Sequence, residues 1–363
     1  MKNKLTASFK NSDITFVVIN LLIYRIFTQL PMTIFKTSGS AAPLSNLLSG
    51  IAAIGIIWFL TSCLLKNING NLLDAAETLF GKLGKVLFCL LIIAYLAVSM
   101  IFTLENFSNL IRLIAFPTSP LWFVTIFLIL GAVLGALGNT HSVIRLHGIF
   151  APIIITVLVL LIVSTIYQGD TSRLFPLLGG GTNSVLSNSF SGIILYTDII
   201  LLLLIAPNGE SRTYITKTVS IGAIFALLLN FLFALSFTLK IPQTIAQNQQ
   251  FPIYLLMKQV YFGRFFQRLD ALILLVSALS SMLYMSLNLT LIFDTFRQSL
   301  GFSQKPPVVI ALGVLISLIS LQSYTFPQNS ILYLVYVCGF GVMAFSILAA
   351  IFAKVRSVLS EKK

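Results

Sequence analysis

The chain reads as an all-α polytopic membrane protein with about ten transmembrane helices in two halves of five. Two observations predict this. Of 363 residues 57% are hydrophobic and only 9% charged, with a mean hydropathy of +0.98, whereas a soluble domain carries roughly 25% charged residues. Apolar runs long enough to cross about 30 Å of hydrocarbon also recur from one end of the chain to the other.

Taken in order, with boundaries at Lys/Arg, Gly/Pro and Asn/Ser clusters, the runs are Ile14–Phe35, Pro43–Leu65, Val86–Leu104, Leu121–Leu137 and Ile149–Tyr167, then Phe190–Ala206, Val219–Leu239, Leu269–Phe293, Val308–Leu321 and Ile331–Ala353. The ninth is the shortest. Met1–Lys10 is polar and the first run has no small-residue cleavage site, so it is expected to remain as a helix. Between the second and third runs, Asn71–Lys82 has Leu72, Ala76 and Leu79 on one side and Asp74 and Glu77 on another, the pattern of a short amphipathic helix. A further interfacial helix is expected within Ile241–Arg268, which carries Ile253, Leu256, Val260 and Phe265.

Basic residues set the orientation, because Lys and Arg are retained on the cytoplasmic side. With the N-terminus inside, 15 of the 23 fall in cytoplasmic segments and 7 outside, leaving Arg25 within the first span. Both termini are therefore expected in the cytoplasm. The net charge of +13 is spread over helix ends and not gathered into one patch, so it marks topology and no nucleic-acid partner is expected.

A weak symmetry divides the chain into residues 1–168 and 189–363, five runs each, joined by a polar, Gly-rich connection at 169–188. Pro31 lies late in the first run of one half and Pro207 at the end of the first run of the other. Proline removes a backbone donor and disfavours helix at the preceding residue. Paired interruptions of this kind point to a binding site near the membrane midplane, although simple kinks account for both prolines equally well.

Four stretches carry a resemblance to a known family. They are Gln29-Leu30-Pro31 with Lys36 and Ser38-Gly39; Leu174-Phe175-Pro176-Leu177-Leu178-Gly179; Phe190-Ser191-Gly192 through Asp198 to Pro207; and Phe251-Pro252-Ile253-Tyr254 leading to Gly263-Arg264-Phe265 and Arg268-Leu269-Asp270. Together, over nearly the whole chain, they resemble the B subunit of spore germination receptors, within the amino acid/polyamine/organocation transporter superfamily. The resemblance implies an inverted-repeat transporter fold and a nutrient-sensing role. It also implies an A subunit and a lipoprotein C subunit as partners, and a place in the inner membrane of a bacterial endospore. Relatives have small residues at the first-helix break, where this chain has Tyr24 and Ile26, so a shallower or more apolar pocket is expected.

Asp198 is the most informative ionisable group, since a carboxylate inside a span must be paired, protonated or turned toward a cavity. Arg25 is its natural partner. Tyr196 and Thr197 add hydroxyls beside it. On the eighth run Ser277, Ser281, Tyr284 and Asn288 share one helical face, for which interhelical packing is the simplest reading. On the third run Tyr95, Ser99 and Thr103 repeat every fourth residue, placed to complete a pocket lined by the first, third, sixth and eighth runs, with Glu105 expected as a solvated charge at the outer end. The candidate ligand-binding set is Tyr24, Arg25, Thr28, Ser99, Thr103, Tyr196, Thr197, Asp198, Ser277, Ser281 and Tyr284.

No metal or cofactor is expected. His141 and His147 have no Cys or carboxylate at ligand spacing, and Cys63, Cys89 and Cys338 lie in apolar runs where thiols pack as small hydrophobes. Gly179-Gly180-Gly181 lacks the Lys-Ser/Thr of a phosphate loop, and no nucleophile, base and orienting acid form an active site, so an enzyme is not expected. Three functions remain: a nutrient receptor subunit, a permease for an amino acid or similar solute, or a structural channel-assembly subunit without a ligand. One fold can host all three.

Overall fold

The computed structural model describes residues 11–30, 36–67, 71–204, 212–248, 251–258, 269–301, 304–323 and 328–361. Pro31 and Pro207, on which the paired helix breaks rest, lie outside the described residues. The principal helices are α1 (Asn11–Leu30), α2 (Ala42–Asn67), α3 (Leu72–Ile114), α4 (Leu121–Leu137), α5 (Thr140–Tyr167), α6 (Thr182–Gly192), α7 (Arg212–Lys240), α8 (Leu269–Leu300), α9 (Lys305–Ser323) and α10 (Gln328–Glu361). No strand occurs among the described residues. Eight segments, among them α3, α5 and α6 with its continuation to Leu204, are long and apolar enough to cross a membrane. Outside that count stand α4, at 17 residues, and α1, with Asn20 and Arg25 in its middle. A count of ten spans thus rests on these two as well.

Burial sorts the helices into a centre and a periphery. The spanning window of α8 is 72% buried and that of the α6 segment 67%, against 22% for α9. From Val17 to Phe27, α1 is buried throughout, packed against α7, α5 and α8. Outward faces are apolar instead of polar: Trp122, Phe127, Leu130 and Leu134 on α4 and Val314, Leu315 and Leu318 on α9 are all exposed. Helices polar inside and apolar outside are what a hydrocarbon solvent selects.

Several boundaries differ from the sequence reading, most of them because helices extend beyond their apolar runs, as α5 does to Thr140 and α7 to Arg212. The amphipathic segment after Asn71 is continuous with the third span. Asn71 caps it, its side chain accepting from the Leu73 and Asp74 backbones while Asp74 returns a bond to Asn71 N–H, and the axis breaks at Gly81 (φ 71°). At its other end α3 runs to Ile114, ten residues past Leu104, so Glu105 is 4% exposed and enclosed by protein, not a solvated terminal charge. Glu105, Asn106 and Ser108 are all buried, which shows that the helix continues with polar groups facing inward. The sixth helix begins at Thr182, so residues 182–188 belong to it and not to the preceding connection. Two short helices, Gln243–Asn248 and Pro252–Lys258, occupy the stretch where one interfacial helix was expected.

Candidate functional site

The central feature is a buried ion pair joining α1 to the α6 segment. Beyond Gly192 the α6 segment tightens into a 3-10 turn at Ile193–Tyr196, returns to one α-turn at Asp198–Leu201, and tightens again at Leu202–Leu204. Alternation of this kind inside a span marks a place where the backbone is not held in one regular ladder. Asp198 sits in the middle of it, 2% exposed.

Arg25, on the middle of α1 and 1% exposed, donates to Asp198 Oδ2 from Nη2 at 2.5 Å and from Nε at 3.1 Å. Tyr95 of α3 donates its hydroxyl to Asp198 Oδ1 at 2.7 Å and accepts from Arg25 Nη2 at 3.1 Å. Tyr284 of α8 approaches the same Oδ1 at 3.4 Å. Tyr24 stacks on Tyr284 with centroids 3.6 Å apart, and the Arg25 guanidinium lies 5.0 Å from the Tyr24 ring and 5.9 Å from that of Tyr284. Four helices thus converge on one carboxylate. Two charges are removed from water here, which is tolerated only because they neutralise each other and their remaining valences are met by phenols and aromatic faces. Gly339 of α10 leaves room for this arrangement: a Cβ there would come within 3.0 Å of the Tyr95 ring and press on Ile194.

The candidate residues divide by position. Tyr24, Arg25, Asp198 and Tyr284 are brought together, and Tyr95, expected with Ser99 and Thr103 to complete a pocket with spans one, six and eight but not named in the ligand-binding set, joins them as a direct partner of Asp198. Ser99, one turn beyond Tyr95, is fully buried with no hydrogen-bond partner for its Oγ. Thr103 and Thr28 bond to backbone carbonyls of their own helices, Ser99 O and Tyr24 O, and Ser277 and Ser281 do likewise with Leu274 O and Ala278 O. Tyr196 and Thr197 face elsewhere. They line a small recess with Ala53 and Ile57 of α2 and Met343 of α10, and the Tyr196 hydroxyl lies against Gly50.

A side-chain hydrogen bond between α8 and α1 comes from a residue beside the polar stripe, Ser280, which donates to Asn20 Oδ1 at 2.9 Å. Asn20, an amide inside an apolar run, was the signal available for it. No group of three or more potential metal-ligating side chains occurs among the described residues.

An α-helical, multi-pass fold whose central helices meet at a polar midpoint, while apolar faces cover the outside, defines the class of polytopic α-helical membrane proteins. Solved structures agree. The chain is similar to a Na+-coupled sialic acid symporter in a substrate-bound outward-open state (TM-score 0.69, 10% identity, covering 93% of this chain and 78% of that one) and to MhsT in complex with L-phenylalanine (TM-score 0.67, 13% identity, 96% and 88%). At such identities the likeness is one of fold. A family model described as spore germination protein matches residues 9–328, and the chain belongs to that family, the spore permeases. Comparison with curated proteins gives no match.

Proposed function

We propose that this protein is the nutrient-sensing B subunit of a spore germination receptor. It takes a small solute such as an amino acid at the crossing of α1, α3, the α6 segment and α8, and relays occupancy to an A subunit and a lipoprotein C subunit in the spore inner membrane. The observation that carries this reading is the Arg25–Asp198 pair, closed over by Tyr24, Tyr95 and Tyr284. A zwitterion presents one carboxylate and one ammonium, so it can replace each side chain's partner at once. Entry then parts α1 from the α6 segment without leaving either charge unpaired, and that separation is the signal. Ser99, with its unpartnered hydroxyl one turn away, is the first candidate to contact the solute.

Germination assays with matched abundance test this. Asp198→Asn is expected to raise the nutrient concentration for half-maximal response at least tenfold, whereas Asp170→Asn, at an exposed carboxylate, leaves it unchanged. Ser99→Leu should shift the response while preserving abundance. Equal, negligible effects of all three sink the proposal. The rival reading is a permease, favoured by the fold shared with a Na+-coupled symporter; robust solute accumulation in proteoliposomes by this chain alone would establish it. Absence of any solute binding to the purified chain would leave the structural-subunit reading.

A further inference from the structure

A second cavity, of about 280 Å³, lies away from the Arg25–Asp198 cluster, where three connections meet. Its walls are Gly39 and Ser40 before α2, Arg173, Phe175 and Pro176 between α5 and α6, and Phe237, Thr238, Ile241, Pro242, Gln243 and Thr244 at and beyond the end of α7. These walls are held in place. Ser40 Oγ donates to Pro176 O at 2.6 Å, Asp170 N–H to Leu239 O at 3.0 Å, and Arg173 Nη1 to Lys240 O. Gly39, at φ 57°, lets the Gln243 amide lie directly against the backbone, where any Cβ would collide with it. A preformed wall loses little on binding.

Arg173 gives the cavity its chemistry. A guanidinium has five N–H donors in a planar fork, and here Nη1 is spent on Lys240 O while Nε faces Asp170 Oδ2 at 3.5 Å. The side chain remains 36% exposed, with donors to spare. The Asp170 carboxyl is held below its ordinary range, chiefly by the Ser172 hydroxyl and backbone N–H, so it stays ionised. Lys240 adds only its carbonyl to this arrangement, its own Nζ donating to Gln168 Oε1 at 3.0 Å. Phe175, Phe237 and Pro242 supply the apolar part of the lining.

We propose that this cavity is a second recognition site, for a small solute with an anionic oxygen group, carboxylate or phosphate, attached to an apolar body. The anion sits on the Arg173 fork and the body against Phe175 and Phe237. Because it joins the ends of elements that continue into α2, α6 and α7, occupancy there braces one face of the bundle independently of the central ion pair.

The probe is 3-phenylpropionate, titrated calorimetrically against the full chain in phosphatidylcholine nanodiscs, with 3-phenylpropionamide as the neutral counterpart. Binding of the acid and not the amide is expected. Arg173→Gln should weaken it ten- to hundred-fold, the loss of a charge-assisted pair, and Phe175→Ala, at an exposed ring, several-fold. Unchanged affinity in Arg173→Gln, or equal binding of the amide, overturns the site. Loss in Asp198→Asn with retention in Arg173→Gln assigns the probe to the central site instead. Competition by phosphatidylglycerol would make the occupant a lipid headgroup and overturn the soluble solute.

Discussion

At the scale of single residues, the Arg25–Asp198 pair costs desolvation on both sides and is retained because each half is intolerable alone. Asp198→Asn strands a guanidinium in the core, and Arg25→Gln strands a carboxylate. Each should destabilise the detergent-solubilised protein by about 3–5 kcal/mol, while the double variant should cost well under their sum. Thermal unfolding of the four proteins measures the coupling, and additive losses would mean that the pair is not an energetic unit. Both charges were legible in the sequence, because an ionisable group in an apolar run must find a partner. Tyr95 was not. A phenol can pack like any aromatic, so its four-residue spacing from Ser99 and Thr103 signalled a shared face without saying which side chain would reach Asp198.

At the scale of elements, the same limit explains where boundaries were misplaced. Polar residues mark the end of a span when they face water, and Leu121–Leu137 was recovered on that rule. In α3, Glu105, Asn106 and Ser108 face protein, so the helix continues where local hydropathy says it stops. Its other end is governed by capping. Asn71 and Asp74 satisfy each other's backbone N–H groups, and Gly81 then interrupts the helix, leaving the Leu72–Phe80 segment dependent on its cap and on burial of Leu72, Leu73, Ala75 and Ala76. Removing the cap with Asn71→Ala should cost about 1 kcal/mol. Amide hydrogen exchange should quicken over residues 72–80 and remain unchanged over 86–111. Faster exchange along the whole of α3 would show that Gly81 does not separate the two parts.

At the scale of the whole molecule, the charge-based topology makes a demand that the fold meets: connections assigned to one side must meet one another. Ser40 reaches Pro176, and Arg173 and Asp170 reach the end of α7, all among segments assigned to the outside. On the opposite side Asn71 bonds Gln298, Thr140 bonds Asp294, and Lys305 donates to Gly138 O. Which of these faces is cytoplasmic follows from the 15 to 7 distribution of basic residues alone. Single cysteines placed at Thr118 and Gly180, in a background lacking Cys63, Cys89 and Cys338, should therefore react with an impermeant maleimide in intact cells expressing the protein. One at Gln304 should react only after permeabilisation. All three positions are exposed, so a failure to label reports sidedness and not burial. The reverse pattern would invert the whole molecule and put the Arg173 cavity on the cytoplasmic face. A mixed pattern, with Thr118 and Gly180 on opposite sides, would contradict the fold itself, because α4 and α5 pass between these two positions as an antiparallel pair and an even number of crossings returns the chain to the side it left.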